Sequence, residues 1–446
     1  MVPTKLIAPF SSQSPPVVAL WRSFVAQREL AGVAGWSFLS ALIARGANLV
    51  AIVICARVLA QEQFGQVAII QSTVGMFAPI AGLGLAMTTT KFIAEYRDTD
   101  PNRAGRILAL SLCGAAAAGL VLTGALILLA PRLAAQGFAS PGLSRQLIQA
   151  SGLLAFGVFE AVQTGALTGL EAFPRIARLS IWNGVLSIPS VAILAYAYGA
   201  SGAIAGLTIS VALACVLNSI ALRAECRKWG IQPSLKNLST ERHMLLTFSL
   251  PSYLSGIIVA PVTWLSSAML VHQPGGFSEM ALFTAADRFR YLLIFLPLAV
   301  SRIAMPALSR FRSAGDHGRY RDAFRWNLGF GLAATIPPAL LCIGLAPTLM
   351  ALFGETFRHG WPILAILALS AIPTVLNTQL GAALLSNGRA WARASVDVVL
   401  AIIFLGATWV LVPRWNAAGL AMAFAISYAS ASFLLWLLIR RTHAKN

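Results

Sequence analysis

The chain has 446 residues, 58% of them hydrophobic and only 11% charged, with a net charge of +18. A soluble domain carries roughly 25% charged residues, so this composition excludes an ordinary soluble enzyme. The apolar residues arrive in blocks of about 20, each long enough to cross a ~30 Å hydrocarbon slab as a helix. The residue-by-residue alternation of a membrane β-barrel is absent. The excess charge does not point to nucleic acid, because the basic residues track alternate loops.

Residues 1–33 read as a cytoplasmic tail. They hold Lys5, Arg22 and Arg28 and lack the compact apolar core of a cleaved signal. Val17 to Leu30 fits either a short surface-lying amphipathic helix or part of a disordered tail. Twelve apolar spans follow: 34–58, 66–90, 107–130, 148–170, 179–198, 202–222, 245–271, 281–305, 327–352, 361–386, 394–412 and 417–439. The expected fold is an all-α polytopic membrane protein, with about 12 transmembrane helices in two six-helix lobes. The expected boundaries are an N-lobe at 34–222, a cytoplasmic linker at 223–244, a C-lobe at 245–439 and a cytoplasmic tail at 440–446.

The charge pattern supports an even number of spans. Of the 33 Lys and Arg, 24 fall in the tails and the loops after even-numbered spans, and four, Arg132, Arg145, Arg358 and Arg414, in the opposite loops. The positive-inside rule then puts both termini in the cytoplasm. The halves also resemble each other. Glu62-Gln63-Phe64-Gly65 is matched by Gly275-Gly276-Phe277-Ser278, 213 residues later, and Gly206-Leu207 by Gly419-Leu420 at the same offset. Gln163-Thr164-Gly165-Ala166 is matched by Gln379-Leu380-Gly381-Ala382 at offset 216. Two repeats in the same orientation imply a twofold axis along the membrane normal, with substrate held between them.

The remaining five basic residues, Arg45, Arg57, Arg288, Arg290 and Arg302, lie in or at the ends of spans. A charge at a bilayer centre costs at least ~2.5–3.5 kcal/mol, and such residues usually face a cavity or a protein interior. Only Glu160, Asp287 and Asp397 oppose them within the spans. That excess of buried positive charge points to an anionic cargo. Arg45, with Asn48 one turn on, is expected to face a central cavity. Arg288 and Arg290 are candidates for the same site, although Asp287 and Arg290 stand three apart and can pair along the helix. Arg57 and Arg302 are expected to snorkel at the two membrane edges. Glu160, with Gln163 and Thr164 on its face, reads either as a proton or cation coupling site or as the partner that neutralises Arg45. Asp287 is a further polar candidate. Asp397 reads as an interfacial anchor.

The cysteines Cys55, Cys113, Cys215, Cys226 and Cys342 show no metal-ligand spacing, and the five histidines fall in loops or tails. No metal or cofactor is expected. With no Walker A sequence, transport must draw on a proton or sodium gradient, the membrane potential or the cargo gradient.

The run Ala56-Arg57-Val58-Leu59-Ala60-Gln61-Glu62-Gln63-Phe64-Gly65 resembles the junction between the first two helices of bacterial polysaccharide flippases. Gly82-Leu83-Gly84 with Lys91-Phe92-Ile93-Ala94-Glu95, and Ala304-Met305-Pro306-Ala307-Leu308-Ser309, are similar to that family's segments after helices two and eight. The likeness runs from about Gly32 to Arg441. The sequence departs from the pattern at Lys91, where arginine is common, at Met305 and in its longer N-terminal tail. The family is the Wzx-like oligosaccharide flippases, in one superfamily with lipid II flippases and multidrug and toxin extrusion antiporters. The resemblance implies two six-helix lobes around a cationic cavity in the bacterial inner membrane. It implies a cargo of undecaprenyl-diphosphate-linked oligosaccharide, and contacts with membrane lipid and other polysaccharide-assembly proteins. Arg45 and Arg288 sit where related lipid flippases carry cationic cavity residues. The alternatives are a cation-coupled drug exporter of the same fold, which calls for more buried acid, and a membrane glycosyltransferase or polymerase, which calls for catalytic carboxylates or a large external loop.

Overall fold

The computed structural model describes residues 45–82, 84–235, 258–386 and 389–443. The expected tail at 1–33, the Val17–Leu30 helix, the start of the first span, part of the 223–244 linker and the Arg302 side chain lie outside what it describes.

The described residues form helices and connecting turns, with no strand among them. In chain order the α-helices are α1 (45–58), α2 (Gln61–Gly82), α3 (Leu85–Tyr96), α4 (Pro101–Arg132), α5 (Leu143–Gly169) and α6 (Phe173–Lys228). The second half continues with α7 (Ile258–Val271), α8 (Gly276–Ser313), α9 (His317–Gly344), α10 (Ala346–Ala351), α11 (Trp361–Ser386) and α12 (Ala390–His443). Among the described residues six helices are long and apolar enough to cross a membrane. α4 leaves Leu120, Val121 and Leu128 exposed by 70, 70 and 79%. A face that apolar demands lipid rather than water. Because lipid is as apolar as leucine, the interior is held by close packing rather than by the hydrophobic effect. Alanine accordingly recurs among the fully buried positions, as at Ala203, Ala285, Ala368 and Ala423.

Two helices are hairpins. α6 turns back at Gly199 (φ 60°, ψ −140°), a conformation that glycine enters without strain, and α12 at Asn416 (φ 45°, ψ −125°). Three residues after each turn a glycine meets a backbone carbonyl eight residues earlier, Gly202 on Leu194 and Gly419 on Leu411. The two hairpins therefore share one register at an offset of 217. The sequence match of Gly206 with Gly419 is out of step with it, because Gly206 packs farther down its hairpin, on Ser190 and Val191.

Helix ends lie beyond the spans that hydropathy marks, since hydropathy reports the slab and not the last hydrogen bond. α6 continues through Arg223 and Arg227 to Lys228, steadied by an ion pair of 3.2 Å between Glu225 and Arg175. α9 starts at His317 because Asp316 caps it, its carboxylate accepting the Arg319 N–H at 3.0 Å. The second span divides into α2 and α3 at Gly84 (φ 70°).

The halves, residues 45–235 and 258–443, each hold their own apolar cluster, around Leu108 and Ala221 in one and around Leu384 and Leu435 in the other. A larger cluster runs through both. The halves meet chiefly where the start of α2 crosses the start of α8. A Cβ on Gly65 would run into the Phe277 carbonyl, so only glycine permits this approach. These two residues belong to the two matched motifs. Segments that match in sequence thus pack against each other.

Candidate functional site

Helix α8 organises the seam between the halves. Thr284, Arg288, Tyr291 and Phe295 recur at helical spacing and form one stripe. Arg288 reaches α2, its Nη2 donating to Gln71 Oε1 at 3.1 Å, and Phe295 meets α1, with the Arg45 guanidinium 4.2 Å above its ring. Thr284 and Arg288 also line a seam cavity of about 130 Å³, with Asn48 and Cys55 of α1, Gln71 of α2 and Ser187 of α6. Arg288 Nε is buried without an acceptor, and no carboxylate pairs with this arginine among the described residues. The rest of the lining is apolar, as at Ile52, Val67 and Leu207. A half-buried guanidinium with a spare donor in such a cavity is equipped to bind an anion. Phe295 and Arg288 lie seven residues apart, so Arg45 adds positive charge roughly 10 Å along the same seam.

The neighbouring stripe of α8, Phe283, Asp287, Arg290 and Ile294, faces the inside of the second half. Arg290 is 4% exposed, donates to Asp287 at 2.6 Å and stacks on Phe424 at 4.3 Å. The expected Asp287–Arg290 pair is present. It removes Arg290 from the seam cavity, which corrects the grouping of Arg290 with Arg45 and Arg288.

Other expected site residues fall elsewhere. Glu160 accepts from Thr164 Oγ1 at 3.1 Å and from Asn218 Nδ2 at 3.4 Å, with no ion-pair partner among the described residues, so it does not neutralise Arg45. Gln163 is 1% exposed and ties α5 to α6 through the Cys215 carbonyl at 3.1 Å and Ser219 Oγ at 2.7 Å. It holds helices together and does not line the seam cavity. Asp397 is not an exposed anchor: it is 1% exposed and pairs with Arg393 at 2.8 Å, while Arg393 also donates to Asn377. Arg57 does not simply snorkel. Its Nε donates across the seam to the Leu352 carbonyl at 2.7 Å, at the C-terminus of α10, where the helix dipole favours a cation.

That end of the seam is closed by further contacts. Gln61 Nε2 donates to the Ser278 carbonyl at 3.3 Å, and deeper along α2 Trp264 Nε1 donates to Thr73 Oγ1 at 3.0 Å. His272 Nδ1 lies 3.1 Å from the Gly137 carbonyl, and the Phe64 ring meets Phe357 edge-on at 5.9 Å. Gln71, Thr284 and Phe295 are site residues that charge counting passes over. They carry no charge, and only their position beside an arginine marks them.

A family model described as "Polysaccharide biosynthesis protein" matches residues 31–312. The EPS I polysaccharide export inner membrane protein EpsE of Ralstonia solanacearum is 22% identical over 421 residues, covering 89% of this chain and 90% of the relative. Among solved structures, an inward-facing multidrug resistance MATE family transporter of the MOP superfamily aligns with a TM-score of 0.77 at 18% identity, over 90% of this chain and 94% of its own. The lipid II flippase MurJ, in an inward closed conformation, aligns with a TM-score of 0.71 at 16% identity, over 91% and 87%. At such identities the likeness to the solved structures is one of fold.

Proposed function

The chain belongs to the polysaccharide biosynthesis protein family, and from that premise we propose that it is a flippase. It carries polyprenyl-diphosphate-linked oligosaccharide from the inner to the outer leaflet of the bacterial cytoplasmic membrane, and it is a transporter rather than an enzyme. The observation that carries the reading is Arg288, a cation with a buried, unsatisfied donor beside a cavity between the halves. A diphosphate offers that guanidinium several directed acceptors. Arg45, on the same seam, supplies the second grip.

In this reading the halves are two six-helix lobes, at 34–222 and 245–439, and the twelve spans put both termini in the cytoplasm. The Arg57 end then faces outward. The contacts Arg57 to Leu352 and Gln61 to Ser278 hold that end together. Rocking the lobes would break these contacts and expose the cavity to the other leaflet. The sugar passes through the wet seam while the polyprenyl tail stays in lipid. Glu160, a carboxylate in the N-lobe without a cation partner among the described residues, is the group that would take up a coupling proton or sodium ion. A drug exporter of this fold would need carboxylates in the seam cavity, and the lining described there offers an arginine instead.

Deletion of the gene tests the reading. Lipid-linked glycan should accumulate in the inner leaflet, and a wild-type copy should relieve it. Arg45→Ala and Arg288→Ala, present at normal level, should fail to do so, with Arg45→Lys partly active. Full rescue by both alanine variants would sink the cavity role.

A further inference from the structure

A second chamber opens beside the seam, inside the second half. At about 190 Å³ it exceeds the seam cavity, yet it falls below the ~300–1,000 Å³ of sites that enclose drug-sized ligands. Asp287 and Arg290 line it as an ion pair, so their charges cancel. A guanidinium already occupies the carboxylate, which disfavours a metal cation, and the net neutrality disfavours a second phosphate. The rest of the lining is mostly aromatic and hydroxylic, with Val259, Ile294 and Leu420 between. Phe424 stacks on Tyr428 at 4.4 Å, and Thr263 presents a hydroxyl whose proton goes to the Val259 carbonyl at 2.9 Å, leaving the oxygen to accept.

Tyr291 joins the chamber to the seam. It lines the chamber, is 47% exposed, and lies on the seam stripe between Arg288 and Phe295. Arg288 and Tyr291 are three residues apart, about 4.5 Å along the helix. That is the reach from a phosphate to the ring bonded to it.

The faces of Phe424 are taken by Arg290 and Tyr428, but the half-exposed ring of Tyr291, beside paired donors and acceptors, suits a pyranose. Its C–H face packs on a ring, while its hydroxyls exchange hydrogen bonds with carboxylate, guanidinium and tyrosine. We propose that this chamber is a saccharide subsite that takes the sugar ring adjoining the diphosphate at Arg288. The inference rests on the flippase reading and adds the contact with glycan that the reading lacks. It gives Asp287 and Arg290 a role in recognising neutral sugar instead of charge.

The experiment is lipid binding to the purified protein in nanodiscs. The probes are undecaprenyl diphosphate and the same lipid bearing one glucose, galactose, N-acetylglucosamine or N-acetylgalactosamine. At least one glycosylated lipid should bind about tenfold more tightly than the bare diphosphate, the gain of one or two well-made hydrogen bonds. Tyr291→Ala should abolish that gain without weakening the bare lipid, and Tyr291→Phe should keep part of it. Arg288→Ala should weaken every probe. Because Tyr291 is half-exposed, its replacement leaves the fold intact. Equal affinity across the panel, or equal weakening of all probes by Tyr291→Ala, overturns the subsite while leaving the flippase reading standing. Failure of the wild-type protein to bind any of these lipids overturns the flippase reading, and the subsite with it.

Discussion

Arg288 and Arg290 are two residues apart on one helix and have opposite surroundings. Arg290 sits inside the second half, held by Asp287 and by the face of Phe424. Arg288 sits on the seam with a single hydrogen bond to a neutral amide. The pattern extends to their neighbourhoods. The interior of the second half doubles its polar contacts, as where Arg393 binds both Asp397 and Asn377. The seam contacts are mostly single bonds to carbonyls, such as Arg57 to Leu352 and Gln61 to Ser278. A buried ion pair is expensive to break, about 3–5 kcal/mol when one partner is lost. A bond to a neutral acceptor contributes about 1 kcal/mol net. The interior is held by interactions that are costly to break and the seam by interactions that break at little cost.

The largest effect should come from breaking the interior. Arg290→Ala leaves Asp287 uncompensated and should destabilise the protein by about 3–5 kcal/mol, read as a large fall in melting temperature in detergent. Arg288→Ala should leave that temperature nearly unchanged. The double variant Asp287→Asn/Arg290→Gln should recover most of the stability, and equal losses at 288 and 290 would erase the contrast.

An intermediate effect is expected where α2 crosses α8. Gly65→Ala forces a methyl against the Phe277 carbonyl, and overpacking of this kind costs about 1–3 kcal/mol. Here the cost falls on the closed seam alone. Cys55, 4% exposed and lining the seam cavity, is a native reporter. An impermeant maleimide added outside the cell should label it roughly tenfold faster in Gly65→Ala, with Cys55→Ser as the blank. Unchanged labelling would mean that this crossing does not close the outer path.

The smallest effect belongs to Arg57. Its bond to Leu352 is exposed to solvent, so its loss should weaken closure by about 1 kcal/mol or less. Arg57→Ala should raise the same labelling by up to about fivefold, and Arg57→Lys by less. A change as large as that of Gly65→Ala would make Arg57 the principal latch instead of one contact among several.

Much of this was legible in the chain. The apolar blocks and the alternating loop charge point to a helical membrane protein, because both follow from the energetics of the bilayer. The short motifs resembling polysaccharide flippases point to the family that the match over residues 31–312 shows. The spacing of Asp287 and Arg290 gave their pairing directly, since residues three apart on a helix are neighbours. Other features were hidden by distance along the chain. Nothing in Arg57 or Leu352 announces a contact between residues 295 positions apart. Gln71 gains its meaning only from Arg288 opposite it. Asp397 stands near the end of the span at 394–412, which suggests the interface, whereas it pairs with Arg393 one turn away in α12. Gly206 seemed to match Gly419 because a dipeptide match carries no register, and only the carbonyls beneath the glycines reveal that Gly202 is the equivalent residue.

By itself the sequence determined that this chain is a bundle of membrane helices and that its apolar spans carry more basic than acidic residues. Both are properties of composition and local spacing, which the lipid reads segment by segment. Only the tertiary structure decided what each arginine touches. Two residues along a helix turn its surface by about 200°, so residues 288 and 290 face different worlds. Which of those faces became seam and which became interior depended on the helices packed against them, a choice made between segments far apart in the chain.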